Sequence, residues 1–240
     1  METRQAAHNI FILTILIICL ILLSTTHLAA QIFTPLHDFT GKGVDGATPE
    51  STVLLSSNTF YGTTMYGGGA AFTGTIFSVN ADGTGYHNLH AFSRISALDD
   101  YINADGAQPV TGLAISSNTL YGTTYIGGSS GGGTVFKLNT DGSGFTNLHS
   151  FTWPVNVKYE DGALPATTLK LSGDTLYGAT VQGGAQSAGT VFKLNTDGTG
   201  FKILHDFTNA DGAAPIGAMV LADNTLYGVT RDGGTSGYGK

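Results

Sequence analysis

Charge is scarce in this chain, and basic charge is scarcest. Only 11% of the 240 residues are Asp, Glu, Lys or Arg, and the net charge is −7. Lys and Arg never cluster, which argues against nucleic acid and anionic membrane surfaces as partners. Cysteine occurs once, as Cys19, so neither a disulfide framework nor thiol chemistry is available to the folded part. Long apolar runs are missing apart from Ile10 to Leu23, interrupted only by Thr14. That run is short for a bilayer span but suits the apolar region of a signal peptide, with Arg4 ahead of it. A polar stretch, Ser24-Thr25-Thr26-His27, leads to Leu28-Ala29-Ala30-Gln31, and cleavage is expected after Ala30. An uncleaved N-terminal anchor is the alternative. A lipoprotein is excluded, because Ile18 rather than a small residue precedes Cys19. The expectation is a signal peptide over 1–30 and an exported domain over 31–240, secreted, on the cell surface or in the periplasm. No membrane attachment is expected after cleavage.

Glycine, in contrast, is abundant, with 35 residues, and apolar residues recur steadily, which disfavours disorder. The chain repeats itself. Phe60-Tyr61-Gly62 returns as Leu120-Tyr121-Gly122, Leu176-Tyr177-Gly178 and Leu226-Tyr227-Gly228, at spacings of 60, 56 and 50. Asp-Gly-Ala-x-Pro recurs at the same spacings, at Asp45–Pro49, Asp105–Pro109, Asp161–Pro165 and Asp211–Pro215. A third marker, Gly-Thr-Val-Phe-Lys-Leu-Asn-Thr-Asp-Gly, occupies 133–142 and 189–198, with a looser copy at 74–83.

One unit reads as four strands. Leu169 and Leu171 alternate with polar neighbours over 166–172, and Gly173-Asp174 turns the chain into a second strand, 175–181. A Gly-rich link, 183–188, precedes a third strand, 190–195, and Asn195–Gly200 turns it back into a fourth, 201–207. The predicted class is all-β, a β-propeller-like array of four-stranded antiparallel blades: three full repeats with partial terminal pieces. Ile32–Thr40 reads as a lone fourth strand and Ala214–Thr230 as a final first hairpin, fifteen strands altogether. The array is expected to be incomplete at its C-terminus or to assemble with another chain, because an unpaired strand edge invites self-association.

The order Leu-Tyr-Gly-x-Thr, Gly-Gly, Gly-Thr-Val-Phe-Lys-Leu-Asn-x-Asp-Gly, Leu-His-x-Phe resembles the GloVer tandem repeat of exported bacterial "choice-of-anchor" proteins. It is also similar to a kelch blade. The resemblance runs from Ile32 onward and implies a propeller-like fold and export; it carries no activity. The chain departs from the pattern in that no anchor or sorting module is read after the repeats.

Candidate chemistry is thin. His37, His90, His149 and His205 hold one position in successive Leu-His-x-Phe segments, too dispersed around a ring for one metal, and read as half-buried rings bonded to backbone. Asn80–Gly85, Asn139–Gly144 and Asn195–Gly200 resemble half a calcium loop. The closing twelfth position is Ala91, Ser150 or Asp206, so hairpin turns are the simpler reading. The Gly-rich segments lack the Gly-Lys-Ser/Thr of a phosphate loop, no His-Glu-x-x-His or nucleophile elbow is read, and no cofactor is expected.

Departures from the repeat say more. Ser93–Ala104 inserts Arg94, Asp99, Asp100 and Tyr101; Thr152–Glu160 inserts Trp153, Lys158, Tyr159 and Glu160; the next repeat has only Thr208–Ala210 there. In an up-down-up-down blade these insertions share one end with the Gly-rich links 66–73, 126–132 and 182–188. Variable loops on a rigid scaffold are where ligands bind. These eight residues form the predicted ligand-binding set, for an extracellular glycan or protein. The alternatives are a polysaccharide-acting hydrolase or lyase, using Asp99 or Asp100 with Glu160, and a purely structural surface repeat.

Overall fold

The computed structural model describes residues 33–96, 101–153 and 161–240. Leu36–Lys240 forms one compact unit by itself, and the expected signal peptide, 1–30, lies outside the described residues.

Short turns turn each unit back on itself as an antiparallel sheet. The first blade runs Leu54–Ser56, Thr59–Thr64, Thr75–Asn80 and His87–Ala91, hydrogen-bonded in that order. The second runs Ala114–Ser116, Thr119–Thr124, Gly131–Asn139 and Thr146–Thr152. The third runs Lys170–Ser172, Thr175–Gln182, Thr190–Asn195 and Lys202–Asp206. A last hairpin, Ala213–Ala222 with Thr225–Asp232, supplies two strands of a fourth. The only helix among the described residues is a single 3-10 turn, Gly69–Ala71. This is the propeller-like array that the repeats predict.

The turn between third and fourth strands explains the Asn-x-Asp-Gly pattern. Asn80, Asn139 and Asn195 donate their backbone N–H to Thr84, Ser143 and Thr199 at 2.8–2.9 Å. Asp82, Asp141 and Asp197 each accept from the hydroxyl and the backbone N–H of that same Thr or Ser. The hydroxyl bond first, then the backbone bond, holds all three carboxyls below the usual aspartate range. In each carboxylate it is Oδ1 that the turn engages.

The core lies between blades. Tyr61 and Ile76 of the first blade meet Leu113, Leu120, Phe136 and Leu138 of the second; Tyr121 and Val135 meet Leu169, Leu176, Phe192 and Leu194 of the third. Burial of such side chains contributes about 1.5–3 kcal/mol each. Where innermost strands approach each other, hydroxyls replace carbons. Thr63 Oγ1 donates to Thr111 O at 3.0 Å, Gly112 N–H donates to Thr168 Oγ1 at 3.1 Å, and Thr167–Thr168 pairs in parallel with Gly217–Ala218.

Two sequence expectations need correction. Within 33–40 no strand forms, because none of the described residues pairs with that backbone, although His37 and Phe39 pack on the first blade as a fourth strand would. The inner strand expected over 166–172 is broken into Thr167–Thr168 and Lys170–Ser172, because its first half turns to its neighbour across the array. Such breaks raise the strand segments among the described residues above fifteen.

Candidate binding face

The repeated histidines and the repeated Asp-Gly loops, read separately in the sequence, meet in space. His37 Nε2 lies 3.3 Å from Asp45, His90 2.9 Å from Asp105, His149 3.1 Å from Asp161 and His205 3.1 Å from Asp211. The backbone partner expected for these rings is thus replaced by a carboxylate. Burial by itself would raise the Asp45 carboxyl; bonds from the Thr40 N–H and hydroxyl, from His37 and from Gly46 overcome that and hold it at about 2. Asp105 is likewise depressed against burial by His90 and Ser93. Ser93 and His90 both bond Asp105, which is the wrong order for a serine triad, where histidine stands between the other two.

Three of the four rings are also clamped by the following blade. His37 stacks on Tyr86, His90 on Phe145 and His149 on Phe201, with centroids 3.8–4.0 Å apart and planes within 6°. Burial, with the charge of Asp45 second, raises the Tyr86 hydroxyl well above the usual tyrosine value. The phenylalanine two residues after each of these three histidines packs edge-on against the third-strand phenylalanine of the next blade: Phe39 on Phe77, Phe92 on Phe136, Phe151 on Phe192. These are joints between blades, and among the described residues no three His, Cys, Asp or Glu converge on one point.

The loop end differs. There the two insertions touch: the ring of Tyr101 meets Trp153 edge-on at 5.9 Å. Trp153 is anchored by its backbone N–H, which donates to Ser130 O at 2.7 Å, and its ring packs on the cluster formed by Ala107, Ile126, Ala163 and Leu164. Tyr101 is half exposed, at 50%. Asn103 fixes the end of its insertion, donating to Ser93 O and Gly106 O and accepting from the N–H groups of Gly106 and Gly128. Arg94 does not join the aromatic pair; its guanidinium donates to Ala70 O in the first blade's Gly-rich link. Asp99, Asp100, Lys158, Tyr159 and Glu160 lie outside the described residues. Sequence reasoning passed over Tyr66, Phe72 and Ile102, all exposed and all on connections at this end. Their signal was an aromatic or Ile inside a connection otherwise built of Gly and polar residues.

Gly127-Gly128-Ser129-Ser130-Gly131 does spell Gly-x-Ser-x-Gly. It joins two antiparallel strands rather than a strand and a helix, and its Ser129 is exposed, so it is not a nucleophile elbow.

The sequence matches the family described as Gloeobacter/Verrucomicrobia repeat twice, over residues 24–163 and 93–240. No curated protein sequence matches significantly. Among solved structures, the nidogen/laminin complex aligns with 72% of this chain and 52% of its own at 15% identity, with a TM-score of 0.48. TolB from Acinetobacter baumannii aligns with 76% of this chain and 40% of its own at 9% identity and TM-score 0.45. The putative TolB from Agrobacterium tumefaciens aligns with 62% and 46% at 14% identity and TM-score 0.40. The chain thus spans about half the length of the solved chains it matches.

Proposed function

We propose that the chain, which belongs to the Gloeobacter/Verrucomicrobia repeat family, is an exported binding or scaffold module that engages an extracellular glycan or protein through the loop end of its blades. One observation carries the reading: two insertions of unequal length, from different inter-blade connections, place Tyr101 against Trp153 with the tyrosine half exposed. An amphipathic ring held on a half-buried partner offers contact area at little entropic cost, as sugar stacking and protein contacts both use. The repeat residues themselves are consumed in joints, which leaves this end as the part free to specialise. Arg94, tied to Ala70, supports the loops rather than the ligand.

The test is a glycan array and a surface-protein array probed with wild type and Tyr101→Ala. Tyr101→Ala should lower affinity for the ligand found at least fivefold and leave the melting temperature unchanged, since the side chain is half exposed. Wild type binding nothing on either array, or equal binding by the variant, would refute the proposal. Trp153→Ala is the weaker probe, because that ring also packs on the cluster beneath it.

A further inference from the structure

Where successive blades meet, the third strand of one faces the outer turn of the next, and the first of these meetings is left unfilled. The residue after the third-strand phenylalanine is Lys137 in the second blade, within Gly-Thr-Val-Phe-Lys-Leu-Asn, and Ser78 in the first, within Gly-Thr-Ile-Phe-Ser-Val-Asn. Their registers agree: Phe77 pairs with Gly62 as Phe136 pairs with Gly122, and Ser78 stands opposite His87 where Lys137 stands opposite Thr146. Lys137 crosses to the third blade, and its Nζ donates to Thr196 O at 3.5 Å. Bonds from the Thr199 hydroxyl and N–H lower the Asp197 carboxyl most, and the charge of Lys137 adds to them.

The same frame surrounds Ser78. A Cβ on Gly142 would lie 2.8 Å from Leu89 O, and one on Gly198 would lie 3.1 Å from Leu148 O, so each turn leans alike on the blade before it. Thr140 and Asp141 therefore stand to Ser78 as Thr196 and Asp197 stand to Lys137. Ser78 is buried and too short to cross. A notch of about 340 Å³ remains, lined by Ser78, His87, Asn88, Thr140, Asp141 and Gly142. The turn engages only Oδ1 of the exposed Asp141, and among the described residues no cation pairs with it.

We infer that this notch receives the ammonium of a lysine side chain from a partner protein, in the place that Lys137 fills at the next joint. The tethered lysine defines the ligand: an unbranched apolar stem with a terminal ammonium that donates to the Thr140 carbonyl and pairs with Asp141. One carbonyl and one carboxylate oxygen suit a compact ammonium better than the planar fork of arginine. A net charge of −7 draws cationic partners to the chain. A single pair at an exposed rim is weak, so this lysine is one anchor of a larger contact, and its test has to read weak binding.

The peptide acetyl-Gly-Lys-Gly-amide, titrated into the isotope-labelled full chain, tests this through backbone amide chemical shifts. The signals of Thr140, Asp141 and Gly142 should move and saturate, whereas those of Thr196, Asp197 and Gly198, already served by Lys137, should stay. The same peptide with norleucine for lysine, which lacks the ammonium, should move neither set. Asp141→Asn, which keeps an Oδ1 acceptor for the turn, should weaken binding at least fivefold. Ser78→Lys supplies the ammonium from within the chain and should weaken it at least tenfold, with unmoved signals elsewhere showing that the blades persist. Shifts that never saturate, equal shifts at the two turns, an equal response to the norleucine peptide, or undiminished binding by either variant would overturn the inference. So would saturable binding of n-butylammonium where the peptide fails to bind, because the ligand would then be a free amine. None of these outcomes bears on Tyr101.

Discussion

Two alanine substitutions in the same Leu-Tyr-Gly tripeptide should have opposite effects. In Gly178→Ala the new methyl would lie 2.3 Å from Phe192 Cζ, 2.8 Å from Cε1 and 3.0 Å from Leu169 Cδ2. Carbon atoms prefer separations of about 3.5–4.0 Å, and Phe192 is fully buried with no room to retreat. Overpacking of this kind costs about 1–3 kcal/mol. Against it stands the smaller entropy of the unfolded chain, about 0.4–1 kcal/mol in favour of alanine. Gly228→Ala gains that same entropy and meets only Met219 at 3.5 Å. The entropic contribution therefore cancels between the variants, and their difference isolates the overlap, about 1–3 kcal/mol. For a unit of this size that corresponds to a gap of about 2–12 °C in melting temperature. Thermal and urea unfolding by circular dichroism would measure it, and because repeat arrays need not unfold in one step, hydrogen exchange in the third blade should show the loss locally. Melting temperatures equal within about 1 °C would refute the assigned packing.

Other consequences follow from the joints. His149→Ala removes a stacked ring and leaves the Asp161 carboxylate only the long bond from Thr152 N–H, so it should destabilise by about 1–3 kcal/mol in urea unfolding. His205→Ala, at a half-exposed site with no stacked neighbour among the described residues, should cost clearly less. Asp45 titrates at about 2, so its contribution is complete above about pH 4 and drains away as pH falls towards 2, and the lowered Asp105 carboxyl adds a loss of the same sign below the ordinary aspartate value. Urea midpoints across that range should fall, and Asp45→Asn should flatten the slope. Thr48 is exposed at φ 58°, a left-handed conformation that costs a β-branched residue about 1–2 kcal/mol, so Thr48→Gly should hold or raise the melting temperature where a loop Thr→Gly change ordinarily lowers it.

Much of the fold was legible because each repeated marker is a contact. The Gly that opens Gly-Thr-Val-Phe recurs because a Cβ at Gly74, Gly133 or Gly189 would collide with a carbonyl of its own blade, that of Thr64, Thr124 or Thr180, and with the Asp-Gly-Ala-x-Pro proline of the next. What stayed hidden is the chemistry of pairing. Histidine and aspartate each recur in every repeat, but the loops between them differ in length, so no fixed spacing announces the pair. The x of Asp-Gly-Ala-x-Pro is Thr48, Gln108, Leu164 or Ala214, residues with nothing in common, yet all four sit at φ 51–59°. That turn lets Gln108 and Ala214 donate backward, to Thr73 O and Ala188 O of the preceding blade's link. Backbone bonds of this kind leave no trace in side-chain identity. Tyr101 and Trp153 were legible as departures from the repeat, while their mutual contact needed the fold to bring two loops together.

The His–Asp pairs also explain why the loop end can vary at all. Sequence separation within the pair is 8 for His37–Asp45, 15 for His90–Asp105 and 12 for His149–Asp161, yet the atoms meet at 2.9–3.3 Å in all three. The pair closes the base of each connection, so a longer insertion loops out beyond it without disturbing the joint. Closing fifteen residues rather than eight costs only about 0.6 kcal/mol in chain entropy, less than one joint contributes. Insertions such as Ser93–Ala104 are therefore nearly free to lengthen and change composition, whereas a change in any marker residue is paid at two blades. Selection for a ligand would act on these loops first, which is why the aromatic contact between them, rather than any of the repeated histidines, is the place to look for recognition.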